Sequence, residues 1–138
     1  MGFSLKVDDN ITIASEALRS VEFSLDMPKD SNAKTSDMGV SLIITGKVLT
    51  ILDDGSEETV ELAQWSMVPA ERSDCYRKVV VEVIVAGQVV RQYELPNAFV
   101  VDYTENYGDT EGVGTFKLVL RQKKDKLKTI VVNGGYTA

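Results

Sequence analysis

The strongest hydrophobic pattern lies between Val79 and Val85, where six of the seven residues are apolar and most are β-branched. β-Branched side chains are stiff at χ1 and pack well on a pleated surface, so this stretch predicts a β-strand. Its odd positions are all apolar and are expected to face the core, whereas Val80, Glu82 and Ile84 form a mixed second face. Such a strand indicates a sheet covered fully on one side and partly on the other. A helix of the same chain or another subunit could cover the second face.

The rest of the chain predicts further short strands. Val21 to Met27 alternates apolar and polar residues as a half-buried antiparallel strand does, and Pro28 ends it. Gly46, inside another apolar run, indicates a bulge or a close backbone approach. Pro96-Asn97 is expected to break the chain between two strands. The other predicted strands are Ile11–Ile13, Val40–Leu52, Val89–Leu95, Phe99–Tyr103, Phe116–Arg121 and Thr129–Val132.

One helix is predicted from Glu57 to Met67. Glu57, Glu58 and Glu61 lie in its first turns, where the helix dipole favours carboxylates, and Pro69 closes it. With about eight or nine strands and turn signals between them, the chain is predicted to be mainly β, a barrel or a sandwich with one α-helix.

The longest polar segment runs from Pro28 to Gly39 and has no large apolar residue before Met38. Loops of this length are uncommon in compact domains, where they are functional or disordered. The sequence favours neither a docking loop nor simple disorder.

Composition narrows the class of protein. The 138 residues are expected to form a single domain, residues 1–138. The net charge of -6 argues against nucleic-acid recognition, which needs a basic surface. No apolar run is long enough for a signal peptide or a membrane span, so we expect no membrane insertion and synthesis in the cytoplasm.

Candidate chemistry is sparse. Histidine is absent, which excludes a Ser-His-Asp or Cys-His arrangement and removes the commonest metal ligand. Cys75, the single cysteine, is expected to be inert at a strand entry. Asp53 to Glu58 does not have EF-hand spacing, and Gly108 to Gly114 lacks the context of a phosphate-binding loop. We therefore expect no enzyme, no cofactor and no metal site.

A resemblance adds to this interpretation. Gln92-Tyr93-Glu94-Leu95-Pro96-Asn97-Ala98-Phe99-Val100-Val101-Asp102-Tyr103 resembles a strand of the tube-forming family of contractile injection systems, which ends in a Leu-x-Asn-Ala-x-Val pattern. That family includes the haemolysin-coregulated protein of type VI secretion and the tail-tube proteins of contractile phages. Gly114 to Leu120 is similar to the strand that follows, and Val60 to Trp65 stands where the family has its single helix.

The resemblance implies a small antiparallel β-barrel that serves as a structural subunit. Copies would join sheet edges into a ring, expected to be a hexamer, and rings would stack into a tube with sheath and baseplate proteins as partners. Val80, Glu82 and Ile84 would form the face between copies of one ring. The polar loop would contact the next ring through Lys29, Asp30, Lys34 and Asp37. The finished tube would be released in an extracellular particle or secreted through the machine.

An alternative rests on the basic run from Lys123 to Lys128. A soluble β-barrel binding module could dock an acidic protein partner there. Such a run is more often a solvated, lysine-rich edge that prevents sheets from aggregating.

Overall fold

The computed structural model describes residues 1–8, 11–13, 15–26, 39–48, 58–69, 71–108, 114–122 and 131–134. These residues form eight strands and one α-helix. In chain order the elements are β1 (Gly2–Val7), β2 (Ile11–Ile13), β3 (Leu18–Asp26), β4 (Gly39–Val48), α1 (Glu58–Ser66), β5 (Arg77–Val85), β6 (Gln88–Asn106), β7 (Gly114–Gln122) and β8 (Val131–Gly134). The mainly β class with one α-helix is therefore confirmed.

All strands belong to one antiparallel sheet with the order β2-β1-β5-β6-β7-β4-β3, and β8 pairs with β6 beside this path. Apolar residues alternate along the central strands, and one set of them is buried. Those side chains from β1, β4, β5 and β7 form a single core that includes Leu5, Leu42, Ile44, Val79, Val81, Leu118 and Leu120. The expectation for the odd face of β5 is therefore confirmed for Val79 and Val81 but not for Val83 and Val85, which are only half-buried and lie outside the core cluster.

The sheet is rolled like a barrel but is not closed by hydrogen bonds. β2 and β3 stand at opposite ends of the strand order, which in a flat sheet would place them about 29 Å apart. Only four residues connect Ile13 to Leu18, so the two strands can be no more than about 18 Å apart. No ladder joins β2 to β3 in the described residues. The expected barrel is therefore not closed by a β2–β3 ladder, because β2 has only three residues and offers few backbone N–H and C=O groups for pairing.

The predicted break at Pro96-Asn97 is wrong, because β6 runs through it as one strand of 19 residues. Val79 pairs with Leu95 and Arg77 with Ala98, so Pro96 and Asn97 together oppose the single residue Lys78. This is a bulge, a position where a strand tolerates the missing N–H of proline. Beyond it β6 leaves β5 and continues along β7.

Helix α1 packs on the core side of the sheet. Leu62 and Trp65 are almost completely buried in the same cluster as Val79 and Val81. The indole Nε1 of Trp65 donates a hydrogen bond of 2.8 Å to the carbonyl oxygen of Cys75, just before β5. The helix therefore lies on the core side of the sheet, against β2 and β6, and in the described residues it does not cover the even face of β5.

Gly46 provides the close approach that the sequence indicates. A Cβ atom at this position would meet the carbonyl oxygen of Ala17 and would lie 2.6 Å from Cε1 of Phe116. The ladder beside it is irregular, since Leu18 pairs with Gly46 but Ser20 pairs with Thr45. The bulge thus brings the backbone of residue 17 onto Gly46.

We expect Gly46→Ala to lower the free energy of unfolding by about 2 kcal/mol or more, because neither backbone nor buried ring can move away easily. Urea unfolding followed by circular dichroism measures this loss. Gly2→Ala is the matched control, since a Cβ there meets no atom within 4 Å. Equal stability of the two variants would contradict the packing described around Gly46.

Candidate assembly surfaces

The even face of β5 is the surface that the sequence singles out. Val80, Glu82 and Ile84 are each partly exposed. Neither Val80 nor Ile84 belongs to the core cluster or to the apolar residues packed against it. In the described residues, the strands that flank these three residues within the sheet are β1 and β6. Two apolar residues therefore lie on an outer surface on either side of a carboxylate.

A row of polar side chains crosses this surface at Glu82. Ser4 on β1 donates to Oε1 of Glu82 at 3.2 Å, and Gln92 on β6 donates to Oε2 at 3.3 Å. Asn133 on β8 in turn donates to Oε1 of Gln92 at 3.2 Å. We call these four residues the polar ladder. It links four strands and gives each carboxylate oxygen of Glu82 a hydrogen-bond donor.

Charge on this surface is only partly compensated. Lys78 forms an ion pair of 3.1 Å with Glu94. Glu82, by contrast, receives hydrogen bonds from neutral groups and makes no ion pair within the described residues. A partner that covered this surface would have to compensate the Glu82 carboxylate, because burying an unpaired charge is costly.

Two strand edges form a second candidate surface. β3 pairs with β4 alone, and the stretch of β6 from Phe99 to Asn106 pairs with β7 alone, as far as the described residues show. These edges lie at the two ends of the four-stranded portion β6-β7-β4-β3. Each has an exposed apolar residue, Leu25 at 46% and the bulged Val101 at 51% exposure. Unpaired edges with exposed apolar residues are templates for pairing with another chain.

The third feature is a pocket of about 430 Å³ beside helix α1. Its apolar wall is made by Val7, Ile11, Trp65 and Val68, and its rim by Asp8, Glu61, Gln64, Asp74, Tyr76 and Arg77. The guanidinium carbon of Arg77 lies 5.5 Å from the centre of the Trp65 ring. Asp74 is paired with Arg72 at 3.0 Å.

The structure places the predicted residues unevenly. Val80, Glu82 and Ile84 come together on one surface, whereas Lys29, Asp30, Lys34 and Asp37 lie outside the described residues, as does Lys123 to Lys128. Cys75 is buried. No group of three or more potential metal-ligating side chains occurs in the part of the chain that the structure describes. No helix there is long and apolar enough to cross a membrane.

Sequence reasoning missed the β6 edge and the pocket. The edge had a signal, since Pro96 marks the bulge, and after one further pair, Ala98 with Arg77, β6 no longer pairs with β5. The pocket had none, because its walls come from four parts of the chain: the end of β1, β2, helix α1 with the residues just after it, and the entry of β5.

Comparison with known proteins gives matches of structure alone. No family model matches the sequence, and neither does any curated protein. Hcp1 from Flavobacterium johnsoniae is similar at a TM-score of 0.57 and 17% identity, over 99% of this chain and 98% of that one. The sheath-tube complex of the extracellular contractile injection system PVC gives 0.56 and 11%, over 96% and 88%. A type VI secretion system effector from Yersinia pestis gives 0.60 and 7%, over 98% and 99%.

These matches define the class of fold. Over nearly its whole length the chain shares the fold of Hcp1 and of a protein of the PVC sheath-tube complex, and its described residues form one antiparallel sheet with one α-helix. The resemblance seen in the sequence is therefore confirmed at the level of the fold. None of these three proteins is named for a catalytic activity.

Proposed function

We propose that this protein is a structural subunit of the inner tube of a contractile injection system. The observation that carries the proposal is the match of nearly the entire chain, 96–99%, to Hcp1 and to a sheath-tube complex. A likeness restricted to a common core would fit many β-proteins, but here both chains are covered almost end to end. The proposal assigns the protein no catalytic residue and no cofactor.

Ring formation would use the two strand edges. The β3 edge of one copy pairs with the β6 edge of the next, from Phe99 onwards, so that two different surfaces meet. Contacts of this heterologous kind generate rings when the rotation closes, and six copies are the expected number. Every ladder among the described residues is antiparallel, and an antiparallel β3–β6 pair between copies continues that pattern around the ring.

The even face of β5 would be covered in the same assembly. Val80 and Ile84 supply apolar area between copies of one ring, and the polar ladder at Glu82 fixes the register of the contact. Obligate interfaces resemble a domain core more than a surface, and the two half-exposed apolar residues fit that requirement.

The loop from Pro28 to Gly39 would connect successive rings. Lys29, Asp30, Lys34 and Asp37 provide both signs of charge for this contact. Sheath and baseplate proteins would then complete the particle, with assembly in the cytoplasm and release in a particle or by secretion.

The test is the size of the purified protein in solution. We expect light scattering to give a mass several times 15.2 kDa, and negative-stain images of the same sample to show closed rings or tubes. A monomer at every concentration, without rings in the images, would contradict the proposal.

Deletion of Asn32 to Ser36 separates stacking from ring formation. The variant is expected to form single rings but no tubes, with an unchanged circular dichroism spectrum. Long tubes from this variant would show that the loop does not connect the rings.

A further inference from the structure

The proposed tube function assigns no role to the pocket beside helix α1. Its volume of about 430 Å³ lies in the range of small-ligand sites. The apolar wall of Val7, Ile11 and Val68 is suited to an aliphatic stem. The carboxylates of Asp8 and Glu61 stand on the rim above it.

These two carboxylates are available to a cation. Asp8 is held in place because its N–H donates to the carbonyl oxygen of Lys78 at 2.7 Å and its Oδ1 accepts from the N–H of Lys78 at 3.0 Å. Neither Asp8 nor Glu61 makes an ion pair in the described residues, whereas Asp74 on the same rim is paired with Arg72. A side chain with an apolar stem and a terminal ammonium group, which is lysine, matches this arrangement.

The position of the pocket indicates where the lysine comes from. Tyr76 lines the pocket and packs edge-to-face on Phe99, with ring centres 5.8 Å apart. Phe99 begins the stretch of β6 that, in the described residues, pairs with β7 alone. A second copy whose β3 pairs antiparallel with this edge has the carboxyl end of β3, Asp26, directed towards Phe99 and the pocket.

Lys29 is the first basic residue after β3. It follows Asp26 by three residues, which span about 10 Å when extended. We infer that Lys29 of a second copy enters this pocket and pairs with Asp8 and Glu61. The inference rests on the proposed ring and moves Lys29 from the contact between rings to the contact between copies of one ring, so that Asp30, Lys34 and Asp37 are left for the contact between rings.

A peptide titration tests the pocket without requiring rings. The probe is the synthetic segment of residues 26–39, which contains no tryptophan or tyrosine. Trp65, the only tryptophan of the chain, lines the pocket, so its fluorescence reports binding. The host is the full chain with Lys29→Glu, which removes the competing lysine. We expect a saturable change in Trp65 emission.

Charge exchange gives the test its specificity. Adding Glu61→Lys to the host should weaken the wild-type peptide about tenfold and strengthen the Lys29→Glu peptide, since attraction and repulsion are exchanged. Glu71→Lys is the matched control, because Glu71 is exposed, carries the same charge and lies outside the pocket. No change in emission, or equal effects of Glu61→Lys and Glu71→Lys, would overturn the inference.

Light scattering of the full chain then shows whether the lysine that enters the pocket comes from a second copy or from the loop of the same chain. Lys29→Glu and Glu61→Lys should each weaken assembly, and the double variant should restore it. If each single variant assembles like the wild type, the docking between copies is wrong although rings exist. A wild type that stays monomeric refutes the ring instead, and the peptide titration still decides whether the pocket takes the lysine.

Discussion

Val80→Asp is expected to abolish assembly while the fold is retained. Val80 is partly exposed on the even face of β5 and makes no contact with the core cluster, so folding tolerates the change. In a ring the new carboxylate would be covered beside Glu82 and Glu94, with Lys6 of β1 directly opposite it, so the variant adds one negative charge to a surface that otherwise has two charges of each sign. Covering this excess charge, together with the loss of the apolar area of Val80, should cost about 3 kcal/mol per interface, or roughly a hundredfold in association. Mass by light scattering across a concentration series measures the effect.

Val119→Asp is the control for this substitution. Val119 is also a partly exposed valine on the outer side of a central strand, β7, but lies away from the even face of β5. Its variant should assemble like the wild type, and both variants should keep the wild-type circular dichroism spectrum. If Val80→Asp forms rings at wild-type concentrations, the face of Val80, Glu82 and Ile84 is not an interface between copies.

The sequence predicted most of the fold because its signals are local. Apolar and polar residues alternate along β3 and β7, and β5 is rich in β-branched apolar residues. Both patterns predict a strand directly, and the alternation also predicts which face of the strand is buried. The helix was predicted to within one residue at each end, since glutamates at its start and Pro69 after it are local signals too. Gly46 inside an apolar run likewise predicted a close approach of the backbone, and the positions of Ala17 and Phe116 confirm it.

Features that depend on several segments were not predictable. Pro96 reads as a strand end when it is considered alone, but the strand continues because the residue falls in a bulge opposite Lys78. The open sheet and the free edge of β6 depend on strand order, which a single sequence does not fix. For the candidate site, the sequence identified the mixed face of β5, but it could not show the polar ladder, in which the hydrogen bond from Ser4 to Glu82 alone joins residues 78 positions apart.

Trp65→Ala is expected to cause the largest loss of stability, about 3–5 kcal/mol of the free energy of unfolding. The side chain is only 1% exposed and joins helix α1 to the core. Its removal leaves a cavity, takes the 2.8 Å hydrogen bond from the carbonyl of Cys75, and removes the ring beneath Arg77. Because domains of this kind are stable by about 5–15 kcal/mol, the variant should be close to unfolding.

Trp65→Phe separates the contribution of the hydrogen bond from that of the apolar volume, and Val60→Ala is the control on the same helix. Phenylalanine retains most of the apolar volume but leaves the Cys75 carbonyl without its indole donor, which should cost about 1–3 kcal/mol. Val60 lies on the same helix and is 42% exposed, so its truncation should change stability by less than about 1 kcal/mol. Urea unfolding must be followed by circular dichroism, since the alanine variant has no tryptophan. If Trp65→Ala costs no more than Val60→Ala, the helix is not anchored in the core, and the pocket wall that Trp65 supplies is not rigid either.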